Sequence, residues 1–439
     1  MIQSETELRP YQLEAIDFTL SNPHEGRSII YFEPGMGKTA TGITAARRLN
    51  PNWRRLVVAP GYGMQVWPET IEAMGRTESV LVVEGTRAQR MRALAEADNY
   101  QWVVINTDMV RDQGYFQRLI NLDWGTIIID ESHRFRGRNA TRSQRMLELS
   151  KRAPTLIELT GTPIRNQPDD LFMQLRIAYP HDKNFSSYWR WLQKHCLLDQ
   201  TPWGPKVVGV LDRDEWQEHT SQYMFTRTEE QVGLQLPEVI ATQVPVQISK
   251  DLRTKYNTLK KELWLDGVPF ASTAAALSTL RTLVCISPEK LSALAELIED
   301  NAFQKVLIFC WHKDVAAVVA EHIQADFVCT GAQSATYRQD AARQFQLTDE
   351  GKRCIIVANI EAFSEANDLS LADAIIFMER DYIYGSNYQA FRRVHRTGRT
   401  LPTRVYDIYA KGTIEERIVK RVSLESVAIR DLLTEELAS

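Results

Sequence analysis

SIIYFEPGMGKT, residues 28–39, joins a short run of apolar, β-branched residues to a glycine-rich turn and then to a helix-forming stretch. An apolar run of that length is the signature of a strand buried on both faces. Gly35 and Gly37 let the chain turn tightly, so that backbone N–H groups and the start of the following helix face anionic oxygens. Lys38 is then placed for the outer phosphates of a nucleotide, and the Thr39 hydroxyl for its magnesium ion. Pro34, Gly35, Met36, Gly37, Lys38 and Thr39 are therefore the expected cofactor contacts. The full phosphate-loop pattern has one more glycine, at the position occupied here by Phe32.

The same grammar extends outward from this stretch. LVVAP (56–60), VLVV (80–83), WVVIN (102–106) and TIIID (126–130) alternate with helix-like segments at 39–49 and 86–97, as a parallel sheet requires. It returns at VLIFC (306–310), FVCT (327–330), CIIVAN (354–359), AIIFM (374–378) and VYDIYA (405–410), which predicts a second α/β domain. Between about 180 and 300 the texture changes to aromatic and polar stretches with helical spacing, read as helical insertions. Residues 229–248, with Gly233, Pro237 and Pro245, read as a crossover. The expected division is an ATP-binding lobe at 1–180, a helical insertion and crossover at 181–245, and a second lobe at 246–439 that opens with a helical insertion. A last helix is expected from Thr413 to Leu437, packed on that second lobe.

TIIID delivers Asp130 and Glu131 at the carboxyl end of its strand, where parallel sheets place ligands. Asp130 suits the magnesium ion through water, and Glu131 suits the water that attacks a γ-phosphate. Composition excludes several other classes. The chain has 439 residues, 44% hydrophobic and 25% charged, with 52 basic and 56 acidic side chains for a formal charge of −4. No apolar run approaches the ~20 residues that span a bilayer, and MIQSETELRP lacks the basic and apolar segments of a secretory signal. An intracellular protein without membrane attachment is expected, cytoplasmic if bacterial or viral. Five scattered cysteines without a CxxC pair argue for core thiols rather than disulfides or zinc. Any nucleic-acid contact must be local, and two segments carry the bias: 134–152 and 386–404.

DESH at 130–133, LTGTPIRN at 159–166 and QAFRRVHRTGR at 389–399 resemble motifs II, III and VI of helicase superfamily 2, with most similarity to its Swi/Snf-related DNA-translocase branch. LRPYQ (8–12) is similar to the adenine-sensing motif, with Gln12 in the base-reading position. VVAPGYGMQVW (57–67), INTDM (105–109), VLIFCWHKDV (306–315) and FTRTEEQVGLQLPEV (225–239) continue the series in order. The resemblance implies two RecA-like lobes that bind ATP and Mg2+ between them. It implies catalytic roles for Lys38 and Glu131, and for Arg393 and Arg396, three apart on an expected helix, at the transition state. Arg392 and Arg399 are expected to be structural or phosphate-backbone contacts. Duplex DNA is the implied partner, held through sequence-independent contacts near Gly61–Gly63, Thr107, Arg134 and Arg136, and a further protein partner to direct the motor is part of the same expectation.

The implied activity is DNA-dependent ATP hydrolysis coupled to translocation. The alternatives are an unwinding or annealing helicase, or a nucleotide-gated clamp that hydrolyses little. The clamp is motivated by residues 363–369, where Phe-Ser-Glu-Ala-Asn-Asp-Leu replaces the glycine-rich motif V. The tryptophan-rich stretch at 188–203, with Trp189, Trp191 and Trp203, is read as the core of a small insertion in preference to a base-stacking platform.

Overall fold

The computed structural model describes residues 8–433, apart from 22, 25, 76, 203, 235, 263, 266–267, 270–272, 350, 364–368 and 397–398. The chain divides into two compact units, Met1–Gln235 with Ala428–Ser439, and Leu236–Val427.

In the first unit, seven strands form one sheet. They are β1 (Arg27–Phe32), β2 (Arg55–Ala59), β3 (Val80–Val82), β4 (Trp102–Asn106), β5 (Thr126–Asp130), β6 (Thr155–Thr160) and β9 (Met224–Arg227), in the order β3-β4-β2-β5-β6-β1-β9. Neighbouring strands run parallel throughout. The five runs quoted from the sequence are all strands. The sixth, β6, was hidden because Glu158 interrupts TLIELT, yet Glu158 is only 1% exposed. Burial pushes its carboxyl well above the usual carboxylate range, which favours the uncharged form. Helix α1 (Pro10–Ser21) lies against α2 (Lys38–Leu49), and Tyr11, Ile16, Phe32, Ile43 and Trp67 belong to the core beneath them.

The stretch from 181 to 235 is helical only in part. Helices Tyr188–His195 and Arg213–Ser221 flank an antiparallel hairpin, β7 (Cys196–Thr201) and β8 (Gly204–Val210). The strands meet again at the pair Thr201 and Gly204, and Gly204 has a φ of +109°, a conformation that glycine adopts without strain. Trp203 lies outside the described residues. The two helices close over an aromatic cluster in which Trp191 and Trp216 sit 5.5 Å apart and His195 stacks on His219 at 4.3 Å.

The second unit holds a six-stranded sheet. Its strands are β10 (Val239–Val246), β13 (Lys305–Cys310), β14 (Phe327–Cys329), β15 (Cys354–Asn359), β16 (Ala374–Phe377) and β17 (Thr403–Ala410), in the order β10-β17-β16-β13-β15-β14 and again parallel. A two-residue ladder, β11 (Trp264–Leu265) with β12 (Val268–Pro269), stands apart from it. Helix Ile414–Leu433 buries Ile418, Val419 and Val422 in its first turns. All five cysteines are buried and free. Among the described residues no helix is long and apolar enough to cross a membrane.

Candidate nucleotide site

The turn after β1 takes left-handed backbone at Gly35 (φ +94°) and Gly37 (φ +81°), and Gly37 is the N-cap of α2 without a side-chain cap. Only glycine enters that region cheaply, and the N-terminus of α2 is where an anion is favoured. Lys38 Nζ lies 3.0 Å from the Phe32 carbonyl, folded back along the loop. Phe32 replaces the motif's first glycine because its ring is needed elsewhere. It is fully buried, edge-on to Tyr11 at 5.2 Å and to Phe225 at 6.1 Å.

Helix α1 braces the loop from outside. Tyr11 Oη donates to the Met36 carbonyl at 3.0 Å, and Gln12 Nε2 donates to the Gly37 carbonyl at 3.1 Å with Thr41 Oγ1 at 3.2 Å. Gln12 is fully buried, and its Oε1 accepts from the Arg9 amide at 2.8 Å. The residue expected to read a base thus has its amide engaged with the loop in this structure. Tyr11 was not foreseen, although it sits inside the quoted LRPYQ.

Across the sheet, Asp130 Oδ2 accepts from Trp67 Nε1 at 3.3 Å and Oδ1 accepts from the Glu131 amide at 3.0 Å. Burial first, and the Glu131 charge second, raise the Asp130 carboxyl to about 6, against the opposing pull of Lys38. Glu131 has a φ of +51° and ψ of 52°, the left-handed region that a side chain enters at a cost of roughly 1–2 kcal/mol. Strain of this kind concentrates where a side chain has to be aimed.

His133 connects this pair to the next motif. Its Nδ1 lies 3.3 Å from Glu131 Oε2, 3.3 Å from Thr160 Oγ1 and 3.4 Å from Thr162 Oγ1. Burial lowers its pKa to about 4, so the ring is neutral near pH 7. Below it, Ser132 donates to Gln174 Oε1 at 2.9 Å, and Gln174 Nε2 donates to the Pro163 carbonyl at 2.7 Å. Gly161 comes so close to the loop that an added Cβ would lie 3.2 Å from Lys38 Nζ and 3.2 Å from Pro34 Cγ. DESH, LTGTP and the glycine loop are therefore one packed constellation.

The donors fit a nucleotide-bound magnesium ion. Hard oxygens are present in the Asp130 carboxylate and in the half-buried Thr39 at the first turn of α2. Among the described residues no group of three or more His, Cys, Asp or Glu side chains could hold a metal alone.

Residues 11–290 match the SNF2-related domain, and residues 289–399 match the helicase conserved C-terminal domain. The chain belongs to the SNF2-related family. Its matched domains are those of an ATP-dependent, helicase-like hydrolase. A SWI/SNF-related matrix-associated actin-dependent regulator of chromatin subfamily A-like protein 1 from Xenopus tropicalis is 27% identical over 424 residues, covering 93% of this chain and 43% of the relative. The human DNA annealing helicase and endonuclease ZRANB3 is 25% identical over 430 residues, covering 93% and 39%. This SNF2-related chain thus spans less than half the length of these curated relatives. A Sulfolobus solfataricus SWI2/SNF2 ATPase core in complex with dsDNA matches at 21% identity and a TM-score of 0.45, covering 97% of this chain and 93% of that one.

In the second unit of this SNF2-related protein, the expected helix carrying Arg393 and Arg396 ends too early. It spans Tyr384–Phe391 with Arg392 as its cap, and the chain continues in turns closed by Arg393 N to Ala390 O at 3.2 Å and Val394 N to Phe391 O at 3.1 Å. Val394 is fully buried between the two arginines and pins that turn. Arg393 and Arg396 are half-buried, whereas Arg392 and Arg399 are buried at 4% and 7% exposure. Arg399 donates to the Pro402 carbonyl at 2.8 Å and to the Ser370 carbonyl, as a structural residue does. Of the altered motif V, Phe363 and Leu369 are fully buried, and residues 364–368, including Glu365 and Asp368, lie outside the described residues. Thr107, expected at the DNA, is only 1% exposed, so its hydroxyl does not face solvent.

Proposed function

We propose that this protein is a DNA-dependent ATPase that moves along duplex DNA. The observation that carries the reading is the constellation around His133, which ties Glu131 to both threonines of LTGTP. In this reading the amides after Gly35 and the Lys38 ammonium hold the phosphates, and Thr39 and Asp130 hold the magnesium ion. The ion supplies charge neutralisation at the phosphates. Glu131 orients and deprotonates the attacking water, and neutral His133 passes the state of that carboxylate to Thr160 and Thr162. Arg393 and Arg396, from the second unit, neutralise charge developing on the transferred phosphoryl group.

The DNA is contacted through phosphates by the turn at Gly61–Gly63 and by Arg134 and Arg136, without sequence readout. Support comes from the family and from the DNA-acting names of its relatives. The test is ATP hydrolysis by the purified chain with no nucleic acid, duplex DNA, single-stranded DNA and RNA, at low and moderate salt. Stimulation by duplex that weakens with salt is expected. Equal turnover without nucleic acid would remove the DNA-coupled reading.

A further inference from the structure

The tryptophan-rich stretch divides in the structure. Trp191 is core, 2% exposed, whereas Trp189, two residues earlier on the same helix, is 49% exposed. Trp189 is nevertheless held. Its ring lies 5.4 Å from that of Tyr188 at 66°, and the Arg138 guanidinium sits 4.3 Å from the Tyr188 ring centre and 5.6 Å from that of Trp189. Tyr188 is itself anchored, its hydroxyl donating to Asp169 Oδ2 at 2.8 Å and its ring edge-on to Phe172 at 5.2 Å. A half-exposed indole steadied by a tyrosine and a guanidinium loses little freedom when a flat ring is laid on it.

Its surroundings are basic. Arg138 belongs to the segment after DESH that also carries Arg134, Arg136 and Arg142. Burial first, and then the like charges of Arg134, Arg136 and Arg111, lower the Arg142 pKa, with Asp108 alone opposing. Asp169 lies near enough to offset part of the Arg138 charge, and Asp170 pairs with Arg136 at 3.3 Å. A cluster of arginines beside an open aromatic face combines the two things a nucleic-acid strand offers, phosphates and the π-faces of unstacked bases. A paired base inside a duplex presents no such face.

We propose that Trp189, backed by Tyr188 and Arg138, is a stacking platform for one unpaired base, so that the DNA recognised is a duplex ending in or interrupted by single strand. This rests on the DNA reading above and narrows it towards branched substrates. A protein segment docked on the same indole is the competing occupant, and the arginine cluster favours DNA.

The experiment uses the full chain, and compares a blunt duplex with the same duplex carrying an unpaired tail whose first base is 2-aminopurine. Affinity is read by fluorescence anisotropy, and stacking by quenching of the 2-aminopurine. The unmodified protein is expected to prefer the tailed duplex and to quench its fluorophore. Trp189→Ala is expected to weaken the tailed duplex roughly 5-fold or more, the lower end for one base on an aromatic ring, and to abolish quenching. The blunt-duplex affinity stays unchanged, and Trp189→Phe recovers most of both signals. Unchanged affinities for both DNAs in Trp189→Ala, as a protein-docking indole would give, overturn the proposal. So does an equal loss for both. Failure of the unmodified protein to bind either DNA at low salt defeats the DNA reading itself, before any variant is made.

Discussion

The indole N–H of Trp67 points at Oδ2 of Asp130 across 3.3 Å, so the acid expected to hold magnesium is positioned by a ring from the segment after β2. Trp67 is fully buried, and among the described residues it is the side-chain donor to Asp130. A hydrogen bond to a charged acceptor contributes about 1.5–3 kcal/mol. Trp67→Phe keeps a ring in place and removes the donor. ATP turnover should fall about 10-fold, with a higher magnesium requirement in a titration at fixed ATP. A lower melting temperature with an unchanged magnesium titration would mark the bond as structural alone.

Glu131 combines a proposed catalytic role with a strained backbone. Glu131→Gln should retain ATP binding and lose about a hundredfold or more of its hydrolysis. Glu131→Gly removes the same carboxylate and relieves the left-handed conformation, so it should unfold at higher denaturant, by about 1 kcal/mol, while being equally inactive. Rapid steady-state hydrolysis by either variant would show that another group handles the water.

Restoring the missing glycine of the phosphate loop should harm the protein. Phe32→Gly empties a fully buried ring site between Tyr11 and Phe225, a loss of about 4 kcal/mol or more. Urea unfolding reads this directly, and a variant as stable as the parent would show that α1 repacks over the gap.

Gly161→Ala tests the contact between LTGTP and the loop. The new methyl group would press on Lys38 Nζ and Pro34. Nucleotide affinity should drop about 10-fold, or about 1.4 kcal/mol. Equilibrium binding of a fluorescent ATP analogue gives the number, and normal affinity would mean that the loop gives way without cost.

Acid should loosen the first unit. Burial lowers the pKa values of His195 and His219 to about 4, with neighbouring positive or protonated groups adding to the effect. The folded state resists protonation that the unfolded chain accepts near 6.5, so the unfolded state binds more protons between about 6.5 and 4. Stability is therefore full above that window and lost as pH falls through it. His195 is buried and His219 half-buried, and the loss by pH 5 is roughly 1 kcal/mol per histidine. Denaturation at pH 7 and pH 5 should show it, and His195→Phe should reduce the difference.

Local patterns in the sequence carried the strands whose residues are uniformly apolar, the glycine loop, and the acids at the end of β5. They failed where a distant partner decides the conformation. Phe32 reads as a departure from the motif until Tyr11 and Phe225 are seen beside it. The hairpin at 196–210 is short and lacks the uniformly apolar run that marks the sheet strands, so the helical spacing on either side of it dominates the reading. The Trp67 bond to Asp130 joins residues 63 positions apart, which no periodicity reports. The arginines of QAFRRVHRTGR kept the expected order but lost their helix, because burial of Val394 turns the chain there.

β1 lies between β6 and β9, pairing Ile29 with Glu158 on one side and with Met224 on the other. The strand that feeds the phosphate loop therefore waits for a neighbour about 200 residues downstream. At ribosomal speeds of ~5–20 residues per second, that wait lasts roughly 10–40 s. During it, the apolar run SIIYF has an open edge able to template pairing with another nascent chain. Synthesis that stops short of Met224 leaves that edge uncovered, so truncated chains should collect in the insoluble fraction, and a chaperone that shields β1 would act before any nucleotide can bind.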